Sequence, residues 1–522
     1  MGRYSVVSNL IWRFLERSGA QLVSFVVSII LARILLPEEY GIVAIATVVI
    51  TIMNVFVDNG LGNALIQKKE CDDTDYSTAL WANVIVCTIL YAIAYIIVAP
   101  IMAYAYADTT LKWIIRIMGL SIIISSVKNI QQAYVSRTLQ FKKFFISTST
   151  GTIISAIVGV YMAYSGCGVW ALVAQHLTNT IIDTVVLGFV IEWRPRFIFS
   201  MERLRGLISY GYKLLASALI NCIYDNFRQL IVGKVHSSKD LAFYNRGKQF
   251  PSIIMVNINS SIDSVLFPVM SREQDCPERL RNMAHRSMTV SAYILFPFLF
   301  GLAAIADHMI PLLLTEKWND SIVFIQIFCL FYTFHPIQTT NLNVIKAVGR
   351  SDLFLRLEII QTVVGIILLI PVIKLGPVFI ALMYLVAAVF NALIIGAISG
   401  QQMGYSVGNQ VKDMLPYYCM SILMMLAVWG MGNISDNHLI IVGQVVAGIL
   451  IYVVLSSIIK PSAYRYIICS IRGDNESSYN DGRKICSTVC QICEQILSGP
   501  RELFLYIQQR TGRRTENTAS PR

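Results

Sequence analysis

The chain has 522 residues, 55% apolar and only 14% charged, with a formal net charge of +11. Soluble domains carry about 25% charged residues, so a soluble enzyme is excluded and an all-α polytopic membrane protein is expected. The basic excess falls mostly in short loops and the tail, as the positive-inside rule demands, and does not point to nucleic acid.

The first apolar run is too long and too interrupted by charge for a signal-peptide h-region. Eleven cysteines are scattered, and Cys87, Cys222, Cys329 and Cys419 fall inside apolar runs. They read as small hydrophobes and not as a disulfide framework.

Apolar runs long enough to cross a bilayer predict fourteen spans, at about 10–36, 41–66, 77–105, 112–135, 146–165, 168–191, 207–233, 244–270, 288–313, 321–345, 354–375, 377–399, 413–431 and 438–459. An even number puts both termini on one side. Loops on the side of the N-terminus carry roughly twice the Lys and Arg of the others, which predicts that both termini are cytoplasmic.

Span one carries Asn9, Arg13, Arg17, Gln21, Ser24 and Ser28 at steps of four, four, four, three and four. Those steps share one helical face. Span two repeats the pattern with Thr47, Thr51, Asn54 and Asp58. A charge at mid-membrane costs about 2.5–3.5 kcal/mol on insertion scales, so such stripes face protein or water. Two uses stand open: a cation-lined cavity, or helix-to-helix hydrogen bonding with arginines snorkelling at the ends.

Span four brings Ser121, Ser125, Lys128, Gln132 and Ser136, and span six Gln175, Asn179 and Asp183. Span seven carries Lys213, Ser217, Asn221, Tyr224 and Arg228 on one face, with Asp225 beside them. Span eight is rich in Asn257, Asn259, Ser260, Ser261, Asp263 and Ser264. The polar pairs one–two and seven–eight lie six spans apart. This suggests two six-helix lobes, 1–200 and 201–400, built as parallel repeats. Residues 401–465 form an accessory pair, and 466–522 a basic cytoplasmic tail that is disordered in part. Span ten holds His335 beside Pro336. Spans three, nine, twelve and fourteen are uniformly apolar and are expected to face lipid.

Three sites could carry chemistry. Cys486, Cys490 and Cys493 have a spacing that can hold an iron–sulfur cluster, but at helical spacing they share an apolar, interfacial face with Leu497. Asp72-Asp73-Thr74-Asp75 reads better as a solvated loop capping the next helix than as a metal motif. The acids Asp58, Asp183, Asp225 and Asp263 could bind a coupling proton or sodium ion, or could pair with Arg13, Arg17 or Arg228. No nucleophile–base pair is visible, and no enzyme, metal or cofactor is expected.

Six short motifs carry a resemblance. They are Leu31-Ala32-Arg33-Ile34-Leu35-Leu36-Pro37-Glu38-Glu39-Tyr40-Gly41, Asp58-Asn59-Gly60-Leu61 with Ala64-Leu65-Ile66-Gln67, and Phe243-Tyr244-Asn245-Arg246-Gly247. Leu266-Phe267-Pro268-Val269-Met270-Ser271-Arg272, Lys317-Trp318 and Ala347-Val348-Gly349-Arg350 complete the set. In this order the chain resembles the Wzx-type polysaccharide and lipopolysaccharide O-unit flippases, near the colanic acid exporter subgroup. These belong to the multidrug/oligosaccharidyl-lipid/polysaccharide exporter superfamily. The likeness covers about residues 5–460.

The resemblance implies two lobes in a V around a central polar cavity, alternating access, and a place in the bacterial plasma membrane. It implies movement of undecaprenyl-pyrophosphate-linked oligosaccharides from the cytoplasmic to the outer leaflet. Membrane lipids, a polysaccharide polymerase and other biosynthetic proteins are the implied partners. Arg33 and Arg246, at motif positions, would stand near the outer gate. The stripes nominate Arg13, Arg17, Gln21, Asn54, Asp58, Asn221, Arg228 and Asn257 for the substrate, and Asp58, Asp225 and Asp263 for coupling. Arg offers paired donors to pyrophosphate oxygens. A lipid II-type flippase and a cation-coupled multidrug antiporter share the superfamily and are the alternatives.

Overall fold

The computed structural model describes residues 3–472 apart from 59–60, 69–70, 275 and 434–439. Side chains at 3–18, 67, 209–214, 216–217, 221, 224, 263–265, 267–268, 351 and 469–472 are outside that description. The cysteine run at 486–493 and the rest of the tail beyond 472 also lie outside it.

The described chain is helical throughout. In order it forms α1 (Arg3–Ile34), α2 (Pro37–Asp58), α3 (Leu61–Gln67), α4 (Asp73–Ile93), α5 (Ala99–Tyr106), α6 (Thr109–Thr138), α7 (Phe141–Tyr164), α8 (Trp170–Val190) and α9 (Met201–Val235). It continues with α10 (Ser238–Arg272), α11 (Pro277–Leu314), α12 (Ser321–Tyr332), α13 (His335–Ala347), α14 (Ser351–Leu369), α15 (Pro377–Met403), α16 (Val407–Gly432), α17 (Ile440–Ile459) and α18 (Ser462–Arg472). Among the described residues, 11 helices are long and apolar enough to cross a membrane. The helices α1, α9 and α10 are long, at 32, 35 and 35 residues.

Helix ends follow local chemistry. Asp72 opens α4 with a capping box: its carboxylate accepts the Asp75 N–H at 2.9 Å, and the Asp75 carboxylate accepts the Asp72 N–H at 3.3 Å. The acidic loop is therefore a helix cap, as its sequence suggested. It is also an ionic hub. Buried Asp75 takes Lys68 at 2.6 Å and Arg203 at 3.3 Å, and Arg196 reaches Asp73 at 3.2 Å.

Between α4 and α5 the helix continues through a π turn at Ala94–Val98. There Ala99 N–H bonds the Ala94 carbonyl, five residues back. The same register would pair Tyr95 with Pro100, which has no N–H to give. Arg116 Nε fills the place, donating to the Tyr95 carbonyl at 3.2 Å, while its guanidinium stacks 4.1 Å from the Tyr95 ring.

The chain packs as two compact units. The first comprises 1–246, 310–321 and 371–380; the second comprises 247–309, 322–370 and 381–522. In the first, α7 lies close against α8 along a stripe of small residues at steps of four: Gly151, Ser155, Gly159 and Ala163. A Cβ on Gly159 would come within 2.9 Å of Gln175, and one on Gly151 within 3.0 Å of Asn179. At Ala163 this seam also meets α1, in an apolar cluster of Val27, Leu31, Leu35, Ala163, Ala171 and Leu172. The α6 helix runs through the unit beside α2, α4 and α8. At one end Tyr76, Tyr134 and Trp193 close an apolar cluster.

In the second unit α11 carries the accessory helices through tyrosines. Tyr452 donates to the Tyr293 carbonyl at 2.9 Å, and Tyr293 donates to Ser456 at 3.2 Å. Asp413 accepts from Tyr405 at 2.5 Å and lies 3.0 Å from His285 Nδ1. The tenth predicted span is broken at Thr333–Phe334, with Pro336 in the first turn of α13.

One expectation is corrected here. The ninth span, α11, is uniformly apolar in sequence and expected to face lipid, yet more than half of its most apolar stretch is buried in protein, against 17% for the third. Lipid tails and a protein interior are equally apolar, so hydropathy alone does not separate them.

Two outcomes test these packing arguments. Gly41 sits where an added Cβ would lie 1.7 Å from the Ser238 carbonyl oxygen. Gly41→Ala should destabilise the detergent-solubilised protein by about 3 kcal/mol, the upper range for overpacking, read as a lowered midpoint of denaturant unfolding. The second concerns Asp72, whose carboxyl is held below its ordinary value by the Asp75 N–H and then by Arg203. A depressed folded value means stability that is present above the ordinary carboxylate value, about 3.9, and lost as pH falls from there through the lower folded value. The melting advantage of wild type over Asp72→Asn should therefore vanish in acid; an advantage constant with pH would refute the assignment.

Candidate functional site

A polar face runs through the first unit between α6 and α8. On α8, His176, Asn179 and Asp183 recur at steps of three and four; on α6, Ser121 and Lys128 answer them. His176 Nε2 lies 3.4 Å from Ser121 Oγ, and Lys128 Nζ lies 2.6 Å from Asp183 Oδ2. The Asp183 side chain is 4% exposed and that of Lys128 25%. Asp183 Oδ1 is buried with no hydrogen-bond partner among the described residues. From α2, Asp58 joins the group: Asn129 hydrogen-bonds to it and the Lys128 charge lies near. One ammonium thus serves two carboxylates. A buried charge stays ionised only with such a partner.

Beside this face a cavity of about 190 Å³ opens between α1, α7 and α8. Its polar lining is Ser24, Thr152, Ser155, Gln175, His176 and Asn179. Thr152 and Ser155 bond carbonyls of their own helix, at 2.7 and 3.0 Å. The close α7–α8 seam sets where Gln175 and Asn179 stand.

The expected site residues fall as follows. Gln21 is exposed on α1, three residues before Ser24 of the cavity. Asn54 is half-buried, and its Oδ1 has no partner among the described residues. Thr47 and Thr51 of the same stripe spend their hydroxyls on carbonyls four residues back, at 2.7 and 2.8 Å. On α9, Asp225 is exposed and Arg228 buried. These residues belong to the first unit. Asn257 belongs to the second, exposed, donating to the Ile253 carbonyl at 2.8 Å. The side chains of Arg13, Arg17, Asn221 and Asp263 lie outside the described residues.

The two gate arginines come together with other motif residues in one knot. Arg246 is buried, 4.7 Å from the Tyr40 ring and 5.2 Å from that of Trp318. Trp318 Nε1 donates to the Ala32 carbonyl at 2.9 Å and Lys317 to that of Arg33 at 2.8 Å. Arg33 caps the end of α11 through the carbonyls of Leu312 and Leu313. In the structure described, both arginines act on protein. Burial lowers the Lys317 ammonium from its usual value, with Glu39 opposing.

Sequence reasoning named Lys128 and Asp183 but did not pair them, and it passed over His176. The signal was present: Ser121–Lys128 and His176–Asp183 are both seven apart, so two contacts form two turns apart along facing helices.

The sequence matches the family described as "Polysaccharide biosynthesis protein" over residues 30–323. The chain belongs to that family. Among curated members, it is 26% identical over 314 residues to the succinoglycan biosynthesis transport protein ExoT of Rhizobium meliloti (strain 1021), covering 60% of this chain and 63% of that one. It is thus similar to just under two thirds of that relative's length. It is 24% identical to the lipopolysaccharide biosynthesis protein WzxC of Escherichia coli (strain K12), over 66% of this chain and 70% of that one. The teichuronic acid biosynthesis protein TuaB of Bacillus subtilis (strain 168) is 24% identical over 57% of this chain and 62% of that one.

Among solved structures, the lipid II flippase MurJ, in an inward closed conformation, superposes with a TM-score of 0.71 at 15% identity, over 88% of this chain and 100% of that one. An inward-facing multidrug resistance MATE family transporter of the MOP superfamily gives 0.60 at 13%, over 75% and 96%. At such identities the likeness is of fold. This member of the polysaccharide biosynthesis protein family is a multi-pass membrane protein with the fold of the MurJ and MATE structures.

The Lys128–Asp183 pair carries a prediction. Lys128→Met leaves Asp183 without its cation, and should destabilise by about 3 kcal/mol. Lys128→Met with Asp183→Leu should recover most of that loss. A double-mutant cycle on unfolding in detergent measures it, and independent single effects would show the pair to be incidental.

Proposed function

We propose that the protein is a flippase for undecaprenyl-pyrophosphate-linked oligosaccharides in polysaccharide biosynthesis, working by alternating access. The carrying observation is the family match over 30–323 on a chain with a transporter fold. In this reading α1, α9 and α10 join the 11 apolar helices as spans, giving fourteen, with both termini cytoplasmic. Helices one to six (1–200) and seven to twelve (201–400) are two lobes of a V, and 401–465 an accessory pair.

Arg13, Arg17 and Arg228 hold the pyrophosphate through paired guanidinium donors. The polar side chains Gln21, Asn54, Asn221 and Asn257 contact the headgroup, and the polyprenyl tail stays in lipid. Asp58, Asp225 and Asp263 are the coupling candidates for a proton or sodium ion. Arg33 and Arg246 act at the outer gate by holding the ends of α1, α2, α10 and α11. A polymerase and other biosynthetic proteins receive the product.

Flipping of a labelled polyprenyl-pyrophosphate oligosaccharide in sealed vesicles tests this. Wild type should flip it, and Arg13→Ala with Arg17→Ala should reduce the rate at least tenfold at equal insertion. No flipping, alongside efflux of drug cations by the same vesicles, would replace the reading with a multidrug antiporter. Flipping that survives the double variant would keep the function and discard the arginine site.

A further inference from the structure

The cavity between α1, α7 and α8 has a chemistry of its own. Its polar lining consists of hydroxyls, carboxamides and one imidazole. Among the described residues that line it there is no carboxylate, no ammonium or guanidinium, and no aromatic ring but His176. A pyrophosphate would find no cation there. An organic cation would find neither an acid nor an aromatic face, the two groups that hold such ligands.

Three of the polar groups are uncommitted. Ser24, Gln175 and Asn179 have no hydrogen-bond partner among the described residues, whereas Thr152 and Ser155 bond their own helix. The two carboxamides stand one turn apart on α8 and Ser24 faces them from α1. Each carboxamide offers two N–H donors and a carbonyl acceptor. Together with a hydroxyl they can pair with a ligand whose every edge is both donor and acceptor. That is the chemistry of a neutral sugar.

Size agrees. At about 190 Å³ the cavity is smaller than the roughly 300–1,000 Å³ of sites for drug-sized molecules. It suits one sugar ring and not an oligosaccharide. The positions are also stiff, because Gly151 and Gly159 let α7 press on the carboxamide side chains themselves.

We infer that this cavity is a sugar subsite, reading one neutral hexose-type residue of the lipid-linked substrate through Ser24, Gln175 and Asn179. The inference rests on the flippase reading for its substrate but not on the arginine site. It makes the first lobe a source of glycan selectivity separate from pyrophosphate binding.

The test measures binding to the purified full chain by native mass spectrometry. The probes are undecaprenyl pyrophosphate, bare or carrying a single glucose, galactose or N-acetylglucosamine. In wild type at least one sugar should raise affinity about tenfold over the bare carrier. In Gln175→Ala/Asn179→Ala that gain should fall to within twofold, and Ser24→Ala, acting from a different helix, should lower it in the same direction. The ratio of glycosylated to bare affinity cancels any general loss of folded protein. No sugar-dependent gain in wild type, or a gain that survives the double variant, would overturn the subsite while bare-carrier binding left the flippase reading intact. A wild type that binds neither form would sink the flippase reading and the subsite with it.

Discussion

Charge inside an apolar medium is the constraint around which the first unit is arranged. Lys128 and Asp183 meet at 2.6 Å on helices that lie within membrane-spanning stretches. Either alone would carry a desolvation cost of several kcal/mol. Their pairing fixes how α6 faces α8. The small-residue seam then fixes how α8 faces α7, and the apolar cluster around Leu31 and Leu172 fixes α7 against α1. The polar cavity is what remains between these fixed contacts.

The motif residues meet at one place in the first unit. Leu31 to Gly41, Arg246 and Lys317-Trp318 lie far apart along the chain, yet they build one joint of edge-to-face rings, a guanidinium over them and capped carbonyls. Arginine suits this joint because its flat guanidinium can lie on a ring while its N–H groups reach sideways. A gate must have ends held in place as well as parts that move.

What was legible in the sequence was set by what the medium penalises. The all-helical membrane fold was legible, because about 20-residue apolar runs have few other readings. So were the polar stripes, because an unpaired polar face in lipid is expensive. The partners were not. The Lys128–Asp183 pair joins two helices far apart in sequence, and periodicity within one helix says nothing of which neighbour it meets. For α11 the failure had another source: its apolar surface suits lipid and protein equally well. Thr47 and Thr51 show a third limit, since a hydroxyl in a stripe can be satisfied by its own helix.

The π turn at Ala94–Val98 alters how the whole third span is to be read. An α-helix advances about 100° per residue, and a turn closed five residues back holds one residue more than the regular repeat. Beyond it the wheel is out of phase with the wheel before it. Residues of α4 and α5 that share a compass bearing are therefore not those at multiples of three and four across the join. Deleting one residue there would absorb the bulge and leave the far end facing as it does, whereas winding the same residues into regular α-helix would swing that end, Tyr104 and Tyr106 included, by about a quarter of a revolution. Tyr106 would then leave the Leu230 carbonyl that it now bonds at 2.8 Å. The extra residue works as a phase shifter, and the proline behind it keeps the shift from being annealed away.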